Sequence, residues 1–109
     1  MRFFGRQRPD ETSVTAEVSK ALGQPVAYNH LQYGAGALSG VLHLPDVAAY
    51  RQAMTTAYAR LAELLADDVQ RVVFYLSAVT PEGTLDATAL GLPVQPTGRD
   101  VAALLQDPA

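Results

Sequence analysis

The chain contains no cysteine and no tryptophan, and only three phenylalanines. Without cysteine there are no disulfides, no thiol nucleophile, and no cysteine-ligated zinc or iron–sulfur centre. A small secreted scaffold usually depends on such staples, so a cytoplasmic location is expected. No apolar run approaches the ~20 residues that a membrane-spanning helix requires, and no membrane partner is expected. The opening residues carry Arg2, Arg6 and Arg8 but no apolar stretch behind them, which does not fit a secretory signal.

Positive charge is also scarce. The 109 residues hold 8 Lys and Arg against 11 Asp and Glu, a net charge of −3. That sign opposes the long-range attraction on which nucleic-acid binders rely, so no nucleic-acid partner is expected. The three early arginines are read as part of a flexible arm over residues 1–11, ahead of a single domain over residues 12–109.

What is plentiful is Ala, Val and Leu: 49% of the residues are hydrophobic and 17% charged, a globular composition. Side chains of this size bury little area each, so the elements must pack closely. Periodicity assigns them. Thr12 or Ser13 can cap a short helix through Leu22, with Val14, Val18 and Leu22 inward and Gly23 as its stop. Residues 26–33 and 39–44 suit the two strands of a hairpin, with the glycine-rich residues 34–37 between them. After Pro45, Asp46 is a good N-cap for a long helix. Its apolar stripe runs through Val47, Tyr50, Met54, Ala57, Leu61 and Leu64, and Asp67 and Asp68 end it.

Residues 69–79 form a strongly apolar β-run in which Val72, Val73, Phe74, Tyr75 and Leu76 are consecutive, so apolar side chains point to both faces. A Pro81–Gly83 turn leads to a half-exposed strand over residues 84–90. Thr97 and Asp100 resemble a capping box for a last short helix, with Val101, Leu104 and Leu105 inward. The order α-β-β-α-β-β-α defines an α+β two-layer sandwich: a four-stranded, mainly antiparallel sheet, one long helix across a face, and short terminal helices. The order resembles that of roadblock-type, profilin-like and secretion-chaperone-like domains. This is a resemblance of element order alone, and it implies a layered fold rather than a function.

Chemistry-bearing residues are few. His30 and His43 are the groups with ordinary pKa values nearest neutrality, and both fall on the first hairpin. An even-length hairpin loop places them on one sheet face beside Tyr28 and Gln32, whereas an odd loop separates them. The even case is favoured because it also aligns Leu31 and Tyr33 with Leu42 and Leu44. On that basis Tyr28, His30, Gln32 and His43 form a candidate ligand-binding face, and His30 or His43 is a candidate general base. The plainer account is a polar, solvent-facing sheet surface. Metal binding lacks further carboxylates at ligand spacing, and no cofactor is implied. The glycines at 34, 36 and 40 match neither a P-loop nor a dinucleotide fingerprint, and no catalytic motif assigns a catalytic residue.

The preferred expectation is therefore a non-catalytic interaction or assembly module, most simply a homodimer. One long helix covers one face of the sheet, while the 72–76 run asks for cover on both, from the terminal helices or from a second subunit. Val73 and Tyr75 are the interface candidates, and a different protein partner is the alternative occupant.

Overall fold

The computed structural model describes residues 9–106. The arginine-containing part of the N-terminal arm lies outside the described residues. Helix α1 (Glu11–Leu22) starts with Asp10 at its N-cap position, two residues before the earliest cap expected, and stops at Gly23, which takes φ 72°. Strand β1 (Ala27–His30) pairs antiparallel with β2 (Gly36–His43). Helix α2 (Val47–Leu65) leads through a 3-10 turn (Ala66–Arg71) into β3 (Val72–Thr80), and a short β4 (Gly83–Leu85) returns beside it. Helix α3 (Gly98–Gln106) closes the described chain.

The protein is an α+β domain whose sheet has the order β1-β2-β3-β4. One correction concerns strand direction. The sheet is mixed rather than mainly antiparallel, because β2 and β3 run parallel in continuous register from Gly36↔Val72 to His43↔Val79. Helix α2 is the crossover that a parallel pair requires, and the hairpins at either side remain antiparallel. The element order was readable from the residues, whereas the direction of the central pair depends on how far α2 carries the chain back.

Caps and periodicity account for the helices. The Asp46 side chain accepts from the Ala49 N–H at 2.9 Å, and Tyr50, Met54, Ala57 and Leu61 are buried along one stripe. Val47, expected on that stripe, is 44% exposed. The α2 helix ends at Leu65, so Asp67 and Asp68 lie in the first turn of the following 3-10 segment. There the dipole of the new turn favours their charge, whereas the C-terminal end of α2 would disfavour it. Asp100 accepts from the Thr97 N–H at 2.9 Å and from its hydroxyl at 3.2 Å, so the α3 capping box forms with Asp in the usual Glu position. Leu105 is exposed rather than inward.

The fourth strand is shorter than expected. Asp86 accepts from the backbone N–H and the hydroxyl of Thr88, which turns the chain after Leu85 into a 3-10 segment, Ala87–Leu90. A short polar side chain captured its own backbone and ended the strand. One hydrophobic cluster joins Val14 and Val18 of α1, the α2 stripe, Val101 of α3, and the even-numbered side chains of the sheet, among them Tyr28, Leu38, Leu42, Phe74 and Leu76. The described helices thus share one face of the sheet.

Candidate interaction surface

The hairpin loop decides the fate of the histidine site. Ala27 pairs with Ser39 and His30 with Gly36, so five residues separate the strands and the loop is odd. The shared face expected for His30 and His43 is therefore not formed. Tyr28 and His30 point to the helix side, and His43 is exposed on the other. Gln32 lies in the turn. The turn is the reason for the slipped register. Tyr33 takes φ 58°, ψ 41° and Gly34 takes φ 77°, while the Ala35 N–H donates to the Gln32 carbonyl at 3.1 Å. Those two left-handed residues make a type I′ turn one position earlier than the glycine run suggested, and Gly36 joins β2.

On the helix side, Tyr28 is 3% exposed and packs edge-on against His30, with ring centroids 5.4 Å apart at 82°. The Nε2 of His30 is buried without a hydrogen-bond partner among the described residues. Gly36 makes room for the Tyr28 ring, since a Cβ there would lie 2.4 Å from its hydroxyl oxygen. This is core packing beside an imidazole. Among the described residues no group of three or more His, Cys, Asp or Glu side chains is placed to hold a metal ion.

An open groove of about 820 Å³ lies where the 3-10 turn after α2 meets the start of α3, lined by Asp67, Gln70, Arg71, Thr97 and Arg99. Its charges offset one another: Arg71 donates to Asp68 at 2.5 Å, and Asp67 faces the same space as Arg99. Residue-level reading of the sequence did not single out this groove, because its walls come from segments some thirty residues apart.

The outer face of the sheet is different in kind. Register places Asn29, Ala37 and Val73 in one row across three strands, and Ala27, Ser39 and Tyr75 in the next. Val41 and Ser77 follow, then His43, Val79 and Thr84. None of these side chains is an Asp, Glu, Lys or Arg, and no described element covers them. Val41 is 53% exposed and Tyr75 47%, while Val73 and Val79 are half-buried among their neighbours. The two interface candidates therefore share this face. Val41 belongs with them. The signal was present in the sequence as an absence of charge at odd positions from 37 to 43 and from 73 to 79.

Tyr75 and Val41 stand above a floor of small side chains, Ala27, Ala37, Ser39 and Ser77. Projections and recesses thus occur on the same patch, which is what a self-complementary surface needs. Comparison with protein-family models, with curated proteins and with solved structures finds no match to this chain, and the likeness in element order to known layered domains is not accompanied by one. No helix among the described residues is long and apolar enough to cross a membrane.

Proposed function

We propose that this domain is a non-catalytic assembly module that associates with a second copy of itself through the outer face of its sheet, centred on Val41, Val73 and Tyr75. The observation carrying this reading is the absence of charge from a sheet face that no described element covers, in a chain where 17% of residues are charged. A sheet face meant for water normally carries Lys, Glu or Thr-rich alternation; depletion of charge is the mark of an interface centre. The two histidines do not form a shared site, because register puts them on opposite faces and His30 faces the core. A cytoplasmic setting goes with this proposal, since the domain closes one core without disulfides.

Size sets the strength. Strands of eight and nine residues with two short flanks, at ~3.3 Å per residue and ~4.8 Å between strands, project roughly 400 Å² per subunit. Side chains raise the accessible area above that, yet it stays at the small end of specific interfaces. The dimer is accordingly a reversible one, formed at micromolar rather than nanomolar concentration.

Light scattering after size exclusion, run over a hundredfold range of concentration, tests the proposal. The expected mass moves from one chain to two, and Tyr75→Lys or Val41→Glu keeps it at one without altering the circular dichroism spectrum. A wild-type chain that stays monomeric at millimolar concentration overturns the proposal, as does a dimer indifferent to both substitutions.

A further inference from the structure

Strand β1 is an edge strand, and one row of side chains on α1 engages the outward N–H groups of Val26, Tyr28 and His30 and the carbonyls of Val26 and Tyr28. The Ser19 hydroxyl accepts from the Val26 N–H at 3.0 Å and donates to the Val26 carbonyl at 3.1 Å. The Thr15 hydroxyl accepts from the Tyr28 N–H at 2.9 Å and donates to the Tyr28 carbonyl at 3.3 Å. Glu11 accepts from the His30 N–H. Residues 11, 15 and 19 repeat every four positions along a helix, a rise of ~6.0 Å. Residues 26, 28 and 30 repeat every two along a strand, a rise of ~6.6 Å. The two periods match closely enough for each hydroxyl to replace a residue of a neighbouring strand, offering one donor and one acceptor.

Beyond this row, β1 is protected only by its length of four residues. Ala27–His30 contains no proline and no Lys, Arg, Asp or Glu, and its register with β2 has no bulge. The far end of the hairpin uses the same device: Gln24 donates to the His43 carbonyl at 2.9 Å and accepts from its N–H at 2.7 Å, standing in for the strand residue that β1 lacks there. At the opposite edge of the sheet, β4 is only three residues long, too short for extended pairing.

We propose that α1 is a guard over a strand-pairing edge, and that the surface it closes pairs antiparallel with β1 of a second copy once the Glu11–Thr15–Ser19 row is removed. The choice of occupant follows from the edge itself. It is short, uncharged and regular, so two copies related by a twofold axis meet without like charges opposed, and each satisfies the other's Val26, Tyr28 and His30 groups. Without the row those groups are left unpaired beneath α1, a cost that opposes the burial of Val14 and Val18 and shifts the balance towards release of the helix.

The test uses the full chain carrying Tyr75→Lys, so that association through the outer face is suppressed and edge pairing is read separately. Into it are placed Glu11→Ala, Thr15→Val and Ser19→Ala. At low concentration, amide exchange at Val26 and Tyr28 should accelerate roughly tenfold or more while Ala27 and Asn29, which face β2, stay protected. At high concentration the mass should double and protection at Val26 and Tyr28 return. Adding Ala27→Lys together with Asn29→Lys, which sets like charges directly opposite each other in a pairing centred on Tyr28, should restore the monomer. If the triple variant does not fold, Ser19→Ala alone removes only the Val26 contacts and carries the same readout there. A mass that stays single at every concentration, or a dimer that the two lysines leave intact, overturns the proposal.

Discussion

The hydroxyl of Tyr50, in the middle of α2, donates to the carbonyl oxygen of Leu76, in the middle of β3. Tyr50 has no exposed surface, so this bond is what allows a polar atom into the centre of the core. It also ties the crossover helix to the strand that helix delivers. Burial, reinforced by the negative charge of Asp86, pushes the Tyr50 pKa up to about 12.

Two consequences follow for Tyr50→Phe. Removing the donor leaves the Leu76 carbonyl short of a partner, and stability should fall by about 1–2 kcal/mol in urea unfolding at pH 7. The alkaline limb should change as well. An unfolded tyrosine titrates near 10, so between pH 10 and 12 the folded state retains a proton that the unfolded state has lost. Stability is then fully present below pH 10 and drains away as pH rises, by roughly 2–3 kcal/mol at pH 12. The phenylalanine variant lacks this contribution, so its unfolding midpoint should decline less steeply over that window than that of the wild type.

Among the described glycines, Gly98 leaves the least room for a side chain. A Cβ at this position would stand 1.9 Å from the carbonyl oxygen of Val69, a backbone atom that has no rotamer to yield. The first residue of α3 therefore lies directly against the 3-10 turn, and the adjacent Pro96 carbonyl accepts from the Phe74 N–H at 2.8 Å. Gly98→Ala should push α3 away from the sheet at a cost of about 3 kcal/mol, read as a lowered urea midpoint. Amide exchange at Phe74 should rise selectively, and a variant as stable as the wild type would show that α3 shifts without loss.

What the residues made legible, and what they concealed, divides along physical lines. Local signals sufficed for the α2 stripe, the Asp46 cap, the Thr97–Asp100 box and the Gly23 stop, because each depends on neighbours within one or two turns. The candidate face of Val73 and Tyr75 was readable for the same reason: a strand's alternation is a local property. The pairing of His30 with His43 was not. It depended on whether the turn took Tyr33–Gly34 or a later pair, and a shift of one residue reverses every side chain of a strand. Glycine abundance at 34–36 suggested the later turn, and a tyrosine in a left-handed conformation is not what propensity expects. Likewise the alternation over residues 84–90 fits a strand, and nothing in it shows that the Asp86 side chain bonds Thr88 and diverts the chain.

Acid should weaken the packing of α1 on α2. Arg60 of α2 reaches Glu17 of α1 at 2.6 Å and Glu63 of its own helix at 2.6 Å. The hydrogen bond from Arg60, and then its charge, hold the Glu17 carboxyl below its ordinary value. The bonds from Thr88 do the same for Asp86. Both groups have folded pKa values lowered from the unfolded ones, so their contribution is present above the ordinary carboxylate range and is lost as pH falls through it and below. Unfolding midpoints measured from pH 7 to pH 3 should therefore fall. Arg60→Gln should flatten the decline, because Glu17 then titrates nearer its unfolded value. An unchanged slope would mean the bridge is too well solvated to matter.

Tyr33 carries a backbone cost that burial among the described residues does not return. Its backbone lies in the left-handed region at φ 58°, where a side chain other than Gly, Asn or Asp is disfavoured by about 1 kcal/mol. Its ring is 91% exposed, so burial does not offset that cost. Asn at the first central position of a type I′ turn, followed by the existing Gly34, is the pair this geometry favours. Tyr33→Asn should therefore stabilise the protein by about 0.5–1 kcal/mol. For a domain of this size that is a rise of roughly 2–6 °C in Tm. Tyr33→Val should do the reverse, since a β-branched side chain tolerates the left-handed region poorly. The His30↔Gly36 register should survive both changes and can be followed through the amide exchange of β1. If Tyr33→Asn proves less stable than the wild type, the exposed ring is holding the turn through contacts that outweigh its backbone strain.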